Sequence, residues 1–273
     1  MRAPATTMVA PDKYTAEKIL WIHPWAPNLF SFKLTRHKGF RFTPGQFARL
    51  GVKKPDPDNP KNPSGEKIVW RAYSIVSASY DEHLEFYSIV VPGGEFTSEL
   101  ARLKAGDTVY VEKTNYGFLT TDRFEQGKDL WMLATGTGLA PFVSILWDMK
   151  TWDDYENLIV VHSVRYPNEF AYADTIAGFR SHEHFGAQGH KLHYVQTVTR
   201  AKAPGALDKR IPALIESGDL EARIGLKFDH DRSRIMICGN PEMVDDTRKL
   251  LQAKGFVTSR RGQPGHLAVE NYW

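Results

Sequence analysis

Cysteine is almost missing from this chain: Cys238 is the only one in 273 residues. A lone thiol excludes an internal disulfide, and it excludes an iron–sulfur cluster built by the chain itself, which needs several thiolates. Charge of one sign is missing too. Thirty-five Lys and Arg face 32 Asp and Glu, a formal net charge of +3, which is too even for a nucleic-acid binder. No apolar run approaches the length of a membrane span, and residues 1–13 lack the apolar core of a signal peptide. The expectation is a cytoplasmic protein with no nucleic-acid partner and no membrane insertion. No internal repeat and no low-complexity tract is found. Two small basic clusters, Arg36-His37-Lys38 and Lys53-Lys54, suit either ordinary solvated surface or an acidic partner.

What is there divides into two halves of different grammar. From Tyr14 to Thr121 short strand-like segments alternate with Gly and Pro punctuation: Leu29 to Leu34, Phe47 to Leu50 after Pro44-Gly45, Leu84 to Val91, and Val109 to Glu112 after Gly106-Asp107. Closely spaced strands of this kind predict an antiparallel β-barrel. Lys53 to Lys67, rich in Pro, Asp and Asn, reads as a polar surface loop. From residue 122 to 273 buried-looking strands (Leu130 to Ala134, Leu158 to Val164, Leu192 to Val198, Arg234 to Cys238) alternate with helical spacing over Phe142 to Lys150, Glu169 to Arg180 and Ile211 to Glu216. The helix at Glu242 to Lys254 carries its own signals: Asn240 as cap, Pro241 at the first position, Gly255 just past the end. This half predicts an α/β domain with a parallel sheet, of the kind that binds nucleotides.

Open parallel sheets bind ligands outside the carboxyl ends of their strands, and here each strand ends in a chemically useful residue. The first runs into Thr135-Gly136-Thr137-Gly138, whose small residues let backbone approach a diphosphate. The second ends at Val164-Arg165, the third at Thr199-Arg200, the fourth at Cys238-Gly239, and Arg210 precedes a helix. Three arginines at one edge suit an additional phosphate on a nucleotide, such as the 2′-phosphate that separates NADP from NAD. Each feature alone also has a plain reading: a tight strand-to-helix turn, a solvated arginine, a small core cysteine.

In the first half, Arg71-Ala72-Tyr73-Ser74 closes an apolar run. Arg holds phosphate through two parallel hydrogen bonds, and a Tyr two residues on shares its face of a strand. With the adjacent hydroxyl, the set suits a ligand that combines a diphosphate, a polar linker and a flat ring, as a flavin dinucleotide does. Histidines cluster at His182-Glu183-His184 and His190 to His193, but their spacing is not that of zinc ligands and no second cysteine supports them, so no metal is expected.

The segments RAYS, LEFYSIVVPGG, LWMLATGTGLAP, VHSVRY, KRIPALIESGDL, MICGNPEMV and GHLAVENYW, in this order, resemble the ferredoxin–NADP reductase family, in its bacterial flavodoxin/ferredoxin form. The resemblance runs from about Lys33 to the last residue. It implies FAD on the barrel, with Arg71 on the diphosphate, Tyr73 against the flavin and Ser74 near flavin N5. Ser88, Ile89 and Val90 would run along the FAD, and Glu95, Phe96 and Thr97 would open a helix beneath its diphosphate. It implies NADP(H) on the second half, through Thr137 in the turn and through Arg165, Arg200 and Arg210 around the 2′-phosphate, with Val164 and Thr199 beside them. Cys238 and Glu270 would lie near nicotinamide and flavin, Tyr272 would cover the flavin ring and Trp273 stack on the adenine. Hydride would pass between NADP(H) and FAD, and single electrons between FAD and ferredoxin or flavodoxin, with Tyr272 gating the nicotinamide. A monomer is the default of this family. A reductase component serving an oxygenase, or a regulatory flavoprotein without turnover, are the other readings. Two segments depart from the family pattern: the long loop at Lys53 to Lys67, which bears on partner docking, and Ala201 to Pro204, which bears on the placement of Arg200.

Overall fold

In the computed structural model, residues 10–56 and 65–271 are described. The first half contains β1 (Tyr14–Ala26), β2 (Leu29–Thr35), β3 (Phe47–Pro55), β4 (Glu66–Ser74), β5 (His83–Ile89), α1 (Glu95–Leu100) and β6 (Thr108–Tyr116). All of its strand pairs are antiparallel, in the order β4-β3-β6-β1-β2-β5. The chain just past β4 returns to the far edge: Ile75 bridges Phe86, and the Val76 N–H donates to the Glu85 carbonyl at 2.8 Å. That contact closes the sheet into a barrel and removes its open edges. Its interior is filled by Phe32, Leu50, Phe86 and Val109, with Phe96 and Leu100 of α1 in the same cluster. The polar segment expected at Lys53 to Lys67 is shorter than its composition suggests. β3 continues to Pro55 and β4 starts at Glu66, with Lys54 directly opposite Lys67.

The second half contains β7 (Asp129–Thr135), α2 (Ala140–Leu146), α3 (Met149–Asp154), β8 (Asn157–Val164), α4 (Ala173–Gly178), β9 (Leu192–Val198), α5 (Ile211–Glu216), α6 (Asp219–Ile224), β10 (Ser233–Gly239), α7 (Pro241–Ala253) and β11 (Leu267–Asn271). Its five strands are parallel, in the order β11-β10-β7-β8-β9. Alternation along the strands sends Trp131, Leu133, Ile159, Ile235 and Ile237 to the face covered by α5 and α7, and Leu130, Met132, Val160, Met236 and Cys238 to the face covered by α2 to α4. The sheet is therefore buried on both sides, which explains its nearly continuous apolar strands. Asn240 caps α7 by accepting from the Glu242 and Met243 N–H groups, and Gly255 beyond the helix takes the left-handed φ of 93°.

Two expected helices are broken. The one over Phe142 to Lys150 stops at Trp147, and Asp148 restarts the chain as α3 by accepting from the Lys150 N–H. The one over Glu169 to Arg180 is interrupted by Tyr172, a bulky residue at φ 60°. Tertiary contacts hold Tyr172 there. Its hydroxyl bonds Ser31 and, at 2.8 Å, the Glu85 carboxylate, while its ring lies 5.0 Å from Trp25 and 5.4 Å from Tyr87. Tyr172 thus pins the parallel-sheet half to β1, β2 and β5. Leu29, Val76, Tyr87 and Leu119 share one buried cluster with β7, β8 and α2, and the Ser144 hydroxyl donates to the Ser77 carbonyl at 2.8 Å.

Candidate functional site

At the barrel rim, β4 sends Arg71 and Tyr73 to one face, with exposed Ala72 and buried Ser74 on the other. The Tyr73 hydroxyl lies 2.9 Å from that of Ser88, and its ring 5.2 Å from Phe96. Burial pushes the phenol up to about 12. Arg71 donates to the Trp70 carbonyl at 2.8 Å. Beside it Glu95 opens α1 and accepts from Lys54 at 3.0 Å. That bond, then the charges of Lys54, Lys67 and Arg71, hold its carboxylate below the usual range. Ile89 pairs with Leu29, the Val90 N–H donates to the Asn28 carbonyl at 2.7 Å, and the Thr97 hydroxyl accepts from the Val91 N–H at 3.0 Å. The rim is therefore a cationic strip, Lys54, Lys67 and Arg71, beside an ordered aromatic and hydroxyl surface. The sequence singled out Lys54 only within the basic pair Lys53-Lys54 and did not single out Lys67; their positions opposite each other in a hairpin were the missing signal.

At the parallel sheet, the order of strands reverses between β7 and β10, and ligand crevices form at such switch points. The turn after β7 and the end of β10 flank this one. They touch: a Cβ on Gly138 would lie 2.3 Å from the Cys238 carbonyl oxygen, and one on Gly239 2.2 Å from the Thr135 hydroxyl. Only glycine permits that approach. Thr137 is half-buried at the mouth of the turn. One strand over, the Thr199 N–H donates to the Val164 carbonyl and the Arg200 N–H to the Arg165 carbonyl, both at 3.0 Å. The Thr197 hydroxyl donates to the Lys209 carbonyl at 2.6 Å, which draws Arg210 to the same edge. Arg165, Arg200 and Arg210 are exposed, and among the described residues no carboxylate pairs with them.

The two halves meet at a pocket lined by Phe47, Arg49, Tyr116, Gly117, Phe118 and Glu270. Its two walls connect the separate sets. Phe47 is the strand partner of both Ser74 and Tyr116, and Glu270 is the strand partner of Cys238. Glu270 Oε2 is buried with no hydrogen-bond partner among the described residues. Desolvation raises this carboxyl to about 7, against a smaller opposing hydrogen bond from the Phe118 backbone. Arg49 pairs with Glu112 at 3.2 Å, and Glu112 also accepts from the Tyr116 hydroxyl at 2.7 Å. Of the pocket's lining the sequence resemblance named only Glu270, whose strand partner is Cys238; Phe47, Arg49 and Phe118 carry no motif and become neighbours through the β3–β6 pairing. Sequence reasoning also missed β11, the strand that puts Glu270 beside Cys238. Tyr272 and Trp273 lie outside the described residues.

Within the two histidine clusters, His182 and His193 are held by neighbouring side chains, while His184 and His190 are exposed. His182 lies against Trp147 and Phe185, and His193 bonds Asn157 at 3.2 Å. Among the described residues no group of three His, Cys, Asp or Glu side chains is placed to hold a metal ion.

Comparison with known proteins agrees with this architecture. Residues 132–249 match the family model of the oxidoreductase NAD-binding domain. The chain is 42% identical over 258 residues to ferredoxin–NADP reductase of Pseudomonas aeruginosa, covering 93% of this chain and 95% of that one. It is 40% identical over 258 residues to flavodoxin/ferredoxin–NADP reductase of Escherichia coli, covering 94% and 97%. A crystal structure of a ferredoxin NADP+ reductase from Neisseria gonorrhoeae with bound FAD and NADP superimposes with a TM-score of 0.85 at 37% identity, covering 96% of this chain and 99% of that one. With a barrel joined to a parallel sheet at one pocket, and with identity of this extent, the chain belongs to the ferredoxin/flavodoxin–NADP reductase family.

Proposed function

We propose that this chain is a ferredoxin (flavodoxin)–NADP+ oxidoreductase, with FAD held by an FAD-binding domain at 14–121 and NADP(H) by a second domain at 122–273. The observation that carries the reading is the pocket at the seam, where Phe47, the strand partner of Ser74, and Glu270, the strand partner of Cys238, line one cavity, with Glu270 Oε2 buried and without a hydrogen-bond partner among the described residues. The residues fit the groups. A cationic strip beside an aromatic surface suits a flavin dinucleotide, and a turn that only glycine permits, next to three exposed arginines with no carboxylate partner among the described residues, suits a 2′-phosphorylated nicotinamide dinucleotide. When bound, FAD supplies the step between a two-electron hydride donor and a one-electron carrier.

The chain's own residues bind, orient and shield. Arg71, with Lys54 and Lys67, neutralises the FAD diphosphate. Tyr73 gives the flavin an aromatic wall whose hydroxyl is already committed to Ser88, and Ile89, Val90 and the Glu95-Phe96-Thr97 turn border the same ligand. Ser74 offers its hydroxyl at the flavin N5 position. Thr137, Val164 and Thr199 border the NADP(H) backbone, while Arg165, Arg200 and Arg210 select the 2′-phosphate. Cys238 and Glu270 shape the nicotinamide end, and with its pKa near 7 the Glu270 carboxyl can hold or release a proton at Oε2 around neutrality. Tyr272 and Trp273, which follow β11 directly, are assigned to cover the flavin and the adenine, with Tyr272 yielding to nicotinamide. The chain acts as a monomer in the cytoplasm in this reading, and among the described residues no helix is long and apolar enough to cross a membrane.

The test is electron delivery. NADPH, the protein and either ferredoxin or flavodoxin are combined with cytochrome c as the terminal acceptor. Cytochrome c reduction that requires NADPH and rises with added carrier supports the reading. Consumption of NADPH that no added carrier accelerates contradicts it.

A further inference from the structure

His162 has no exposed surface and sits in β8, between Ala134 of β7 and Gln196 of β9. Burial pushes its imidazole down to about 4, so the ring is neutral at physiological pH. Both ring nitrogens are engaged. Nε2 lies 3.2 Å from the Gly136 carbonyl oxygen and Nδ1 lies 3.4 Å from the Tyr194 hydroxyl. A carbonyl only accepts, so Nε2 carries the proton, and Nδ1 accepts from Tyr194.

The consequence falls on the turn. A trans peptide is planar, so its C=O and N–H point in opposite directions. With the Gly136 carbonyl fixed on His162, the N–H of the same peptide unit, that of Thr137, is turned away from the sheet toward the mouth of the turn. Gly136 has a φ of 51°, and a Cβ there would meet nothing within 4 Å. Glycine at this position serves conformation rather than space, and that freedom has to be fixed by a contact. The far side of the turn is already fixed, by Gly138 against the Cys238 backbone and by the Asn240 N–H on the Thr135 hydroxyl at 2.8 Å. Gly136 opens a short 3-10 turn, Gly136–Leu139, whose own i→i+3 bonding restrains its carbonyl only with poor geometry; without the His162 contact that peptide can tilt outward and set its partial negative charge against an incoming diphosphate.

We propose that His162 is a positioning residue for the nucleotide diphosphate: from beneath the sheet edge it holds the Gly136 carbonyl inward and so presents the Thr137 N–H to the ligand. This rests on the assignment of the turn to NADP(H). The role requires a neutral donor at the tip of a side chain of this length, which Gln supplies, Asn is too short to supply, and Leu lacks.

The experiment compares the flavin-loaded wild type with H162Q, H162N and H162L. Kd for NADP+ is read from the perturbation of the flavin spectrum, and KM for NADPH and kcat from steady-state turnover. H162L and H162N are expected to raise Kd and KM about tenfold, the loss of one buried hydrogen bond and the order it imposes. Their kcat at saturation stays within about twofold, and H162Q recovers binding to within about threefold of wild type. If H162L fails to fold, the Gln and Asn pair gives the same discrimination. Equal affinities across the folded variants, or a fall in kcat with KM unchanged, overturn the role of His162 alone. A wild type whose flavin spectrum never responds to NADP+ overturns the assignment of the turn, and this role with it.

Discussion

The barrel rim and the edge of the parallel sheet present their proposed ligand-binding groups in opposite states. At the rim the groups are already committed: Tyr73 to Ser88, Lys54 to Glu95, Ser74 and Phe96 buried. At the edge Arg165, Arg200 and Arg210 stand exposed, without a carboxylate partner among the described residues, around a turn of bare backbone. Ordered, desolvated groups lose little freedom when a ligand arrives, which favours tight and lasting binding. Solvated charges steer and select, but their contribution is modest and screened by salt. The contrast supports the proposal that one half holds a resident cofactor and the other a substrate that comes and goes.

Substitutions can break that contrast from either side. Arg71→Ala is expected to act most strongly: removing a charge-assisted bond to phosphate weakens FAD retention about 10- to 100-fold. The ratio of flavin to protein absorbance after purification reads this, and a fully yellow variant would count against the rim as the FAD site. Arg200→Ala should raise KM for NADPH about tenfold, leave KM for NADH unchanged and flatten the salt dependence of the NADPH reaction. Equal effects on the two nucleotides would remove the 2′-phosphate from the argument.

Glu270→Gln tests the seam. The folded carboxyl titrates near 7, above its ordinary 4.5, so the native state binds the extra proton and stability falls as pH rises from about 4.5 through 7. Gln cannot lose a proton. The variant should therefore gain on wild type above pH 7, by about 2–4 °C in melting temperature, and match it near pH 4.5. A difference that does not change with pH would contradict a carboxyl raised by desolvation. Tyr172→Phe should have the least effect on binding. It removes the donor to Glu85 and the bond to Ser31, lowering the melting temperature by about 2–4 °C while Kd for NADP+ stays within about twofold. A large change in Kd would show that the pin between the halves also shapes the nucleotide site.

Local chemistry made much of this legible. Asn240, Pro241 and Gly255 mark α7 because caps are local, and the apolar strands of the parallel sheet stand out because both of its faces are covered. Arg165 and Arg200 could be read from strand ends alone, since strands of a parallel sheet deliver their ends to one side, whereas Arg210 reaches that edge through the Thr197 bond to Lys209. The seam was not legible in the same way. Phe47, Arg49 and Phe118 are joined by the β3–β6 register, a long-range pairing that leaves no periodic mark. Tyr172 broke an expected helix because contacts with Ser31 and Glu85, distant in sequence, outweigh local propensity. His162 looked like an ordinary strand residue until the fold set it under the Gly136 carbonyl.

The most direct measurement of the central claim is an anaerobic titration of the purified protein with NADPH and, separately, NADH, followed by visible absorbance. The account predicts flavin bands that bleach with NADPH at far lower concentration than with NADH, because the rim retains FAD and the arginine edge selects the 2′-phosphate. Flavin bands that NADPH does not bleach, or that both nucleotides bleach alike, would contradict it.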